Sequence, residues 1–302
     1  MLIGVFLAGG YVGAKVSSIS KKQEINDFLI RNKIYRSYSI SNSEAESIKT
    51  TTSPVNCPTK YFAVGLFGQS NSANRIPRKD GLVTKIDNKT FMYDWTTEKC
   101  YPFSEPLVGT DGEGKGNLIT EAIMDFRKTN SEISLIVIPF GKGGSSVFNW
   151  SHSDLSVRLD TVIDRLQKSN ISPNLFLWHQ GESDAIPEIY TFEKNKAYGL
   201  GFGSQRLFYE KALDIVVAKL HKSFPGALIG IALASICKND GSEEITKAQK
   251  SFTKYNYIRI SSNTDEYGND YRYDGCHFNE KGAAKIGADY SMLLKATIAQ
   301  GN

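Results

Sequence analysis

Short apolar runs alternate with amphipathic stretches of helical period along the chain beyond about residue 60. The runs are continuous, which is typical of strands buried on both faces of a sheet. They predict strands over residues 61–67, 133–140, 174–179, 227–235 and 257–260. The stretches between and after them predict helices over residues 118–127, 155–167, 205–220, 243–252 and 281–299. Strands separated by helices predict a parallel sheet with helices on both faces.

The start of the chain has a different pattern, because residues 2–14 are apolar and uncharged. At 1.5 Å per residue they span about 20 Å, short of a hydrocarbon core of about 30 Å, although a helix continued to Ile19 with Lys15 snorkelling nearly reaches across it. Residues 12–14 (VGA) also resemble a signal-peptide cleavage site. We therefore expect residues 1–19 to be a signal peptide or a membrane anchor. The lack of basic residues before the run weakens both hypotheses, and a buried or frayed apolar start is the alternative.

The next segment, residues 20–58, is polar and rich in Ser, Lys, Asn and Thr, and it lacks sustained periodicity. Such composition is typical of a stalk or linker. We expect residues 59–302 to form a single enzyme domain. A signal peptide or an anchor would export that domain to a periplasmic, extracellular or membrane-anchored location.

The overall composition is that of an ordinary globular protein, with 302 residues of which 40% are hydrophobic and 23% charged. The 36 basic and 32 acidic residues are spread along the chain and leave a net charge of +4. Since no run of like charge could follow a phosphate backbone, nucleic acid is not expected as a partner.

The four cysteines lie far apart and show no C-x-x-C spacing, so neither a zinc site nor a thioredoxin-type site is indicated. Their even number permits two disulfides, which suit an exported protein. We expect Cys57 to pair with Cys100 and Cys237 with Cys276. The alternative is four buried thiols.

Polar, turn-forming residues follow the predicted strands at the positions where a parallel sheet binds ligands, beyond the carboxyl ends. The first strand is followed by Gly68-Gln69-Ser70-Asn71, the second by residues 141–146 (GKGGSS) and the third by residues 178–184 (WHQGESD). A fourth loop, residues 274–279 (DGCHFN), precedes the last predicted helix. We expect these four loops to meet at one edge of the sheet.

The residues in these loops suit nucleophilic catalysis by a serine. The Ser70 hydroxyl needs a general base, and His277 is the histidine with an acid, Asp274, three residues earlier to orient its ring. The backbone N–H of Ser70, a backbone N–H from Gly143 or Gly144, and the Gln180 amide would stabilise an oxyanion, where losing one donor can cost about 3 kcal/mol. Each motif alone is more often a turn or a helix cap, and their joint occurrence at strand ends favours an active site.

The same four motifs resemble those of the SGNH-hydrolase superfamily, in its sialate O-acetylesterase and acetylxylan esterase branch (carbohydrate esterase family 6). The resemblance covers residues 60–295 and includes Phe67 before the first motif, Trp150 after the second and Gly282 after the fourth. It implies a three-layer α/β/α sandwich with a parallel, flavodoxin-like sheet, and deacetylation through an acetyl-enzyme without a metal or other cofactor. By position, Ser70 matches the family's nucleophile and His277 its base. Ser70 N–H, Gly143 or Gly144, and Gln180 match its oxyanion hole.

The resemblance leaves the acid of the triad open, because both the Asp of the D-x-x-H motif and the Glu of the H-Q-G-E motif are assigned that role in the family. We favour Asp274, whose spacing lets one loop hold both it and His277, and we assign Glu182 to support of the site. Gln69, Asn71 and Trp178 are further supporting residues. Cys276 departs from the family pattern, and a bond to Cys237 would tether the loop that carries the base.

Two other motifs are not interpreted as sites. Residues 109–115 (GTDGEGK) match the start of a phosphate-binding loop, but Gly116 stands where Ser or Thr is required and no apolar strand comes before. We interpret this segment as an active-site rim. Residues 263–270 (NTDEYGND) are acidic like a calcium loop but lack its closing glutamate, so we expect a solvated loop and no metal.

The functional hypothesis is an O-acetylesterase acting on sialic acid, xylan or another acetylated glycan, with a membrane tether at the N-terminus if residues 1–19 are an anchor. One alternative is an O-acetyltransferase that hands the acyl group to a glycan hydroxyl. Another is a catalytically silent glycan-binding module. The loops at 79–116 and 186–203 would decide which sugar binds, and the sequence makes no prediction of the oligomeric state.

Overall fold

A seven-stranded sheet runs through the described part of the computed structural model, which comprises residues 52–112, 114–185, 204–238 and 240–301. Its strands are β1 (Phe62–Gly68), β2 (Thr90–Asp94), β3 (Lys99–Pro102), β4 (Leu135–Pro139), β5 (Leu175–His179), β6 (Leu228–Leu233) and β7 (Ile258–Asn263). They lie in the order β3-β2-β4-β1-β5-β6-β7, and all neighbours are parallel except β2 and β3. Without the β2–β3 pair this is the strand order of a flavodoxin-like sheet.

Helices cover both faces of the sheet. They are α1 (Leu118–Arg127), α2 (Val147–His152), α3 (Asp154–Lys168), α4 (Gln205–Ser223), α5 (Glu243–Ser251) and α6 (Glu280–Gly301). On one face α1 and α6 share a core with Val64 and Leu66 of β1. On the other face α2, α3, α4 and α5 share a core with Ala63 and Phe67. Successive residues of β1 point to opposite faces of the sheet, and all of them are buried. Helices therefore cover β1 on both sides, which makes a three-layer α/β/α fold.

The predicted strands and helices are all present, with ends that differ by a few residues, so the fold class is confirmed. The sequence pattern does not predict β2, β3 or α2. Strands β2 and β3 lie in residues 79–116, and their apolar runs are too short to show a period. Helix α2 has only 6 residues and is started by a capping box between Ser146 and Asn149.

Two disulfides join the predicted pairs, and the alternative of four buried thiols is therefore wrong. The Cys57–Cys100 bond ties the segment before β1 to β3, where Val55 N–H also donates to the Cys100 carbonyl at 2.8 Å. The Cys237–Cys276 bond joins the loop after β6 to the loop that contains His277.

Several predictions concern the start of the chain and one predicted specificity loop. The signal peptide or anchor at 1–19, most of the linker at 20–58 and the loop at 186–203 lie outside the described residues. Among the helices that the structure does describe, none combines the length and the apolar character needed to cross a bilayer.

Candidate active site

Ser70 lies in a tight turn directly beyond the carboxyl end of β1. The strand ends at Gly68, whose φ of 127° favours glycine and where a Cβ would lie 2.1 Å from the His179 carbonyl oxygen of β5. Gln69 N–H donates to that oxygen at 2.9 Å, and Ser70 then opens a 3₁₀ turn over Ser70–Ser72. The side chain of Ser72 closes the turn by donating to the Gln69 carbonyl at 2.7 Å. The turn therefore holds Ser70 in place at the centre of the sheet edge.

His277 is oriented by Asp274 from the same loop. Its Nδ1 lies 2.6 Å from Asp274 Oδ2, while Asp274 Oδ1 accepts the backbone N–H groups of Cys276 at 2.9 Å and His277 at 2.7 Å. Partial burial raises the pKa of Asp274, but the hydrogen bonds from His277 and Cys276 outweigh it and lower that pKa below its usual value. The ionised carboxylate holds Nδ1, which leaves Nε2 as the ring nitrogen that can accept a proton.

Asn71 links the turn of Ser70 to the loop of His277. Its Nδ2 donates to the Cys276 carbonyl at 3.3 Å, and its Oδ1 accepts the Phe278 N–H at 3.3 Å. Cys276 and Phe278 are the two chain neighbours of His277, and Asn71 is the chain neighbour of Ser70. One side chain thus sets the position of the histidine loop relative to the serine turn.

Glu182 contacts Asn71 rather than the histidine that Asp274 orients. Its Oε1 accepts from Asn71 Nδ2 at 2.8 Å and lies 3.5 Å from His179 Nε2, and its side chain is only 1% exposed. Burial raises the pKa of Glu182, but the His179 imidazole and the Asn71 amide outweigh it and lower that pKa to about 2. No hydrogen bond or ion pair joins Glu182 to His277 in the described residues.

Gln180 lies fully buried between three of the loops. Its Nε2 donates to the Ser145 carbonyl at 3.1 Å, to Gln69 Oε1 at 3.3 Å and to the carboxylate of Asp184. Its Oε1 accepts from the Tyr209 hydroxyl at 3.0 Å. The amide could reach an oxyanion only by giving up one of these acceptors.

The glycine-rich loop after β4 presents two backbone donors that differ in their surroundings. Gly143 N–H donates to both carboxylate oxygens of Asp111, at 2.9 and 3.0 Å. Gly144 is exposed and has a φ of 67°. Neither its N–H nor that of Ser70 has an acceptor within the described part of the chain. Ser70 and Gly144 are thus the predicted oxyanion donors with an open N–H.

Trp178 belongs to an aromatic cluster that supports the site from within the sheet. Its ring lies 4.8 Å from that of Phe67 and 6.0 Å from that of Trp150. The Trp150 indole donates to Ser145 Oγ at 2.9 Å, which connects the cluster to the glycine-rich loop. Since close-packed rings resist displacement, the cluster stabilises the loops above it.

The structure adds residues that no motif identified. Arg272 donates to the carbonyls of Cys276, Thr264 and Tyr267, and these hydrogen bonds stabilise the loop that contains His277. Asp111 reaches Gly143 from the segment that the sequence indicates as a rim, and the only signal for it is that position. Among the described residues, no group of three or more His, Cys, Asp or Glu side chains could hold a metal ion.

A family model for "Carbohydrate esterase, sialic acid-specific acetylesterase" matches residues 64–296. The chain belongs to this family. The protein is therefore a carboxylic ester hydrolase that removes O-acetyl groups from carbohydrates, and the family predicted from the four motifs is confirmed. No curated protein sequence matches the chain.

Two solved structures are similar in fold. A protein from Arabidopsis thaliana is 15% identical with a TM-score of 0.58, and the match covers 78% of this chain and 98% of that chain. A carbohydrate acetylesterase from Xanthomonas citri is 13% identical with a TM-score of 0.51, over 80% of this chain and 57% of that chain. At these identities the likeness shows the shared fold and not a shared substrate.

The two disulfides of this acetylesterase indicate an exported protein. They close loops of similar length, with sequence separations of 43 and 39 residues. Removing either by a double Cys→Ser substitution is therefore expected to lower the free energy of unfolding by a similar amount, about 2–4 kcal/mol. Only the Cys237–Cys276 bond adjoins His277, so the two variants should differ in activity.

If His277 is the general base, we expect the Cys237→Ser/Cys276→Ser variant to lose turnover roughly tenfold, because small displacements of a catalytic group are costly. Turnover of the Cys57→Ser/Cys100→Ser variant should stay near the wild-type value. Initial rates on 4-nitrophenyl acetate, measured well below both melting temperatures, check the difference. Equal rates in the two variants would show that Asn71 and Arg272 suffice to hold the loop.

Proposed function

We propose that the protein deacetylates a glycan through an acetyl-enzyme on Ser70, with His277 as the base and Asp274 as the acid of the triad. The observation that carries this proposal is the His277–Asp274 hydrogen bond of 2.6 Å, in a loop that Asn71 links to the turn of Ser70. The arrangement supplies a nucleophile, a base and a group that holds the base, which are the parts that acyl transfer requires.

In the first step Ser70 Oγ attacks the acetyl carbonyl carbon while His277 Nε2 takes the hydroxyl proton. The tetrahedral intermediate collapses when His277 returns that proton to the sugar oxygen, which leaves as the free hydroxyl. A water molecule then attacks the acetyl-enzyme while His277 Nε2 takes its proton. The bond to Ser70 Oγ breaks as His277 returns that proton to Oγ, and acetate is released. Asp274 stays ionised throughout and stabilises the imidazolium.

The oxyanion is held by the backbone N–H groups of Ser70 and Gly144. Both lack an acceptor in the described residues, whereas Gly143 N–H donates to Asp111 and the Gln180 amide to its three buried acceptors. Gln180 then acts by holding the loops of Gln69 and Ser145 together. It would become a third donor only if substrate displaced one of its acceptors.

The sugar is an O-acetylated sialic acid, xylan or cell-wall glycan, and the location is periplasmic, extracellular or membrane-anchored. The description of the matching family supports sialic acid as the first candidate to test. Loops usually decide specificity in α/β enzymes, and residues 79–116 and 186–203 are the loops expected to contact the sugar. An anchor in residues 1–19 would keep the domain at a membrane surface.

Acetate release from a panel of acetylated glycans tests the proposal. We expect purified protein to release acetate into water from at least one of O-acetylated sialic acids, acetylxylan and acetylated cell-wall glycans. The rate should not depend on an added acceptor sugar, and mass spectrometry should find no acetylated acceptor. Acetyl transfer that exceeds hydrolysis would favour the acyltransferase, and binding without turnover would favour the silent module.

A further inference from the structure

We propose that Asp111 is a positioning residue for the oxyanion hole: its carboxylate holds the Gly143 peptide so that the N–H of Gly144 faces the developing oxyanion. The inference rests on the proposed function and deepens it. It gives a role to the glycine-rich segment 109–115, which no motif explains. The carboxylate contacts the Gly143 N–H and Lys142 Nζ, so its proposed effect on catalysis passes through the loop.

The hydrogen bond between Gly143 and Asp111 is bifurcated, and a cation reinforces it. Both carboxylate oxygens accept the single Gly143 N–H, at 2.9 and 3.0 Å, and Lys142 Nζ lies 3.3 Å from Oδ2. A Cβ at Gly143 would lie 3.1 Å from the Arg75 guanidinium and 3.3 Å from Asp111 Oδ2, so side chains surround this peptide closely. The position of the Gly143 N–H is therefore set from outside its own loop.

The direction of the next peptide depends on that position. Gly144 follows with a φ of 67°, a conformation that glycine adopts at little cost, and Ser145 Oγ closes the turn by donating to the Lys142 carbonyl at 2.8 Å. A two-glycine turn has many accessible backbone conformations and selects none of them by itself. Fixing one N–H at Gly143 limits where the N–H of Gly144 can point, and a fixed donor is what an oxyanion hole requires.

Asp111 is itself mounted firmly enough to do this. Its carbonyl accepts the Asn74 N–H at 2.9 Å, and Thr110 Oγ1 donates to the Gly141 carbonyl at 3.0 Å. At Gly112 a Cβ would lie 2.3 Å from the Asn74 carbonyl oxygen, so the segment packs directly on the backbone that follows the serine turn. The rim thus joins the turn of Ser70 to the loop of Gly143 and Gly144.

Lys142 offsets the negative charge that Asp111 places near the oxyanion hole. A bare negative charge near the oxyanion would oppose the charge that develops in the transition state. The Lys142 side chain is only 3% exposed and pairs with Asp111, so the two charges largely cancel. The hydrogen bond to Gly143 keeps its geometric effect while the field at the oxyanion stays small.

Three substitutions separate positioning from charge. Asp111→Asn keeps an oxygen acceptor for Gly143 N–H, Asp111→Ala removes it, and Asp111→Glu moves it outward by one methylene. We expect kcat on 4-nitrophenyl acetate to fall about 10- to 100-fold in Asp111→Ala with KM little changed, because a loose donor acts mainly on the transition state. Asp111→Glu should lose less, and Asp111→Asn should stay close to wild type.

Asp87 provides a matched control at the opposite edge of the sheet. Its carboxylate also accepts a backbone N–H, from Lys89 at 2.8 Å, and pairs with a cation, Arg127, at 2.9 Å. Asp87→Ala should therefore lower the melting temperature as Asp111→Ala does, with kcat unchanged. The labelling rate of Ser70 by a fluorophosphonate, whose phosphoryl oxygen enters the oxyanion hole, should fall in Asp111→Ala and not in Asp87→Ala.

The outcomes distinguish this inference from the proposed function. If the wild-type protein has no esterase activity, or if its activity does not depend on Ser70, the proposed function is wrong. An active wild type with unchanged kcat in Asp111→Ala would overturn the positioning role alone. A higher kcat in Asp111→Ala would also overturn it, because Asp111 would then be blocking the Gly143 N–H. Equal losses of kcat in Asp111→Asn and Asp111→Ala would overturn it as well. If Asp111→Ala does not fold, the ratio of kcat in Asp111→Glu to that in Asp111→Asn decides the question.

Discussion

We expect Ser70→Ala to abolish hydrolysis of 4-nitrophenyl acetate and to leave the fold intact. Loss of the nucleophile in a serine triad lowers turnover about a millionfold, because the base and the acid have nothing left to activate. The turn itself depends on other groups, chiefly Gly68 and the Ser72 hydroxyl. The expected result is therefore loss of activity with circular dichroism and melting temperature close to those of the wild type.

Ser72 offers the control within the same turn. Its hydroxyl donates to the Gln69 carbonyl and is fully buried, so Ser72→Ala should cost about 1 kcal/mol of stability. Because the nucleophile remains, its turnover should fall far less than that of Ser70→Ala. A fluorophosphonate should label the wild type and Ser72→Ala but not Ser70→Ala. Retained turnover or labelling in Ser70→Ala would mean that another group is the nucleophile.

The meeting of the four loops follows from rules that the sequence alone allows one to apply. Continuous apolar strands and intervening helices predict a parallel sheet, and parallel strands have their carboxyl ends at one edge. The hydrogen bonds of Asn71 with Cys276 and Phe278 join the first and the fourth loops, which are more than two hundred residues apart in the chain. Asn71 itself could be predicted as a supporting residue only from the resemblance.

The choice of hydrogen-bond partners within the site could not be predicted in this way. Gly143 and Gly144 are equivalent in the sequence, and the difference between them depends on Asp111, which lies 32 residues before Gly143. Similarly, the amide of Gln180 could point to solvent or to Asp184 with the same motif. Such contacts depend on the direction of single peptide and amide groups, which the periodicity of apolar residues in the sequence does not predict.

The strands β2 and β3 were missed for a different reason. In β2 the apolar residues Phe91, Met92 and Tyr93 stand between Thr90 and Asp94, a run too short to distinguish a strand from a buried loop. Pairing with β4 and the disulfide at Cys100 stabilise this hairpin, and both are tertiary effects. The hairpin extends the sheet beside the segment that carries Asp111.

Asp274→Asn should lower turnover about a thousandfold or more, whereas Glu182→Gln should lower it about tenfold or less. Both substitutions remove one charge without changing the volume. In Asp274→Asn the amide oxygen still accepts the backbone N–H groups of its loop. The imidazolium of His277, however, loses its counter-charge, and the ring loses its fixed tautomer. In serine proteases this change lowers turnover by up to about 10⁴-fold. Glutamine at 182 still accepts from Asn71, and its effect on His277 is indirect.

A second measurement tests the buried carboxylate of Glu182 through its effect on stability. The pKa of Glu182 is lowered from 4.5 to about 2 in the folded protein, so its ionised form stabilises the fold above pH 4.5. That contribution is lost as the pH falls from about 4.5 towards 2. Urea unfolding across this window should show a shallower decline in Glu182→Gln than in the wild type. If Glu182→Gln instead loses a thousandfold in turnover and Asp274→Asn does not, Glu182 is the acid of the triad, and the hydrogen bond of Asp274 to His277 only holds the loop in shape.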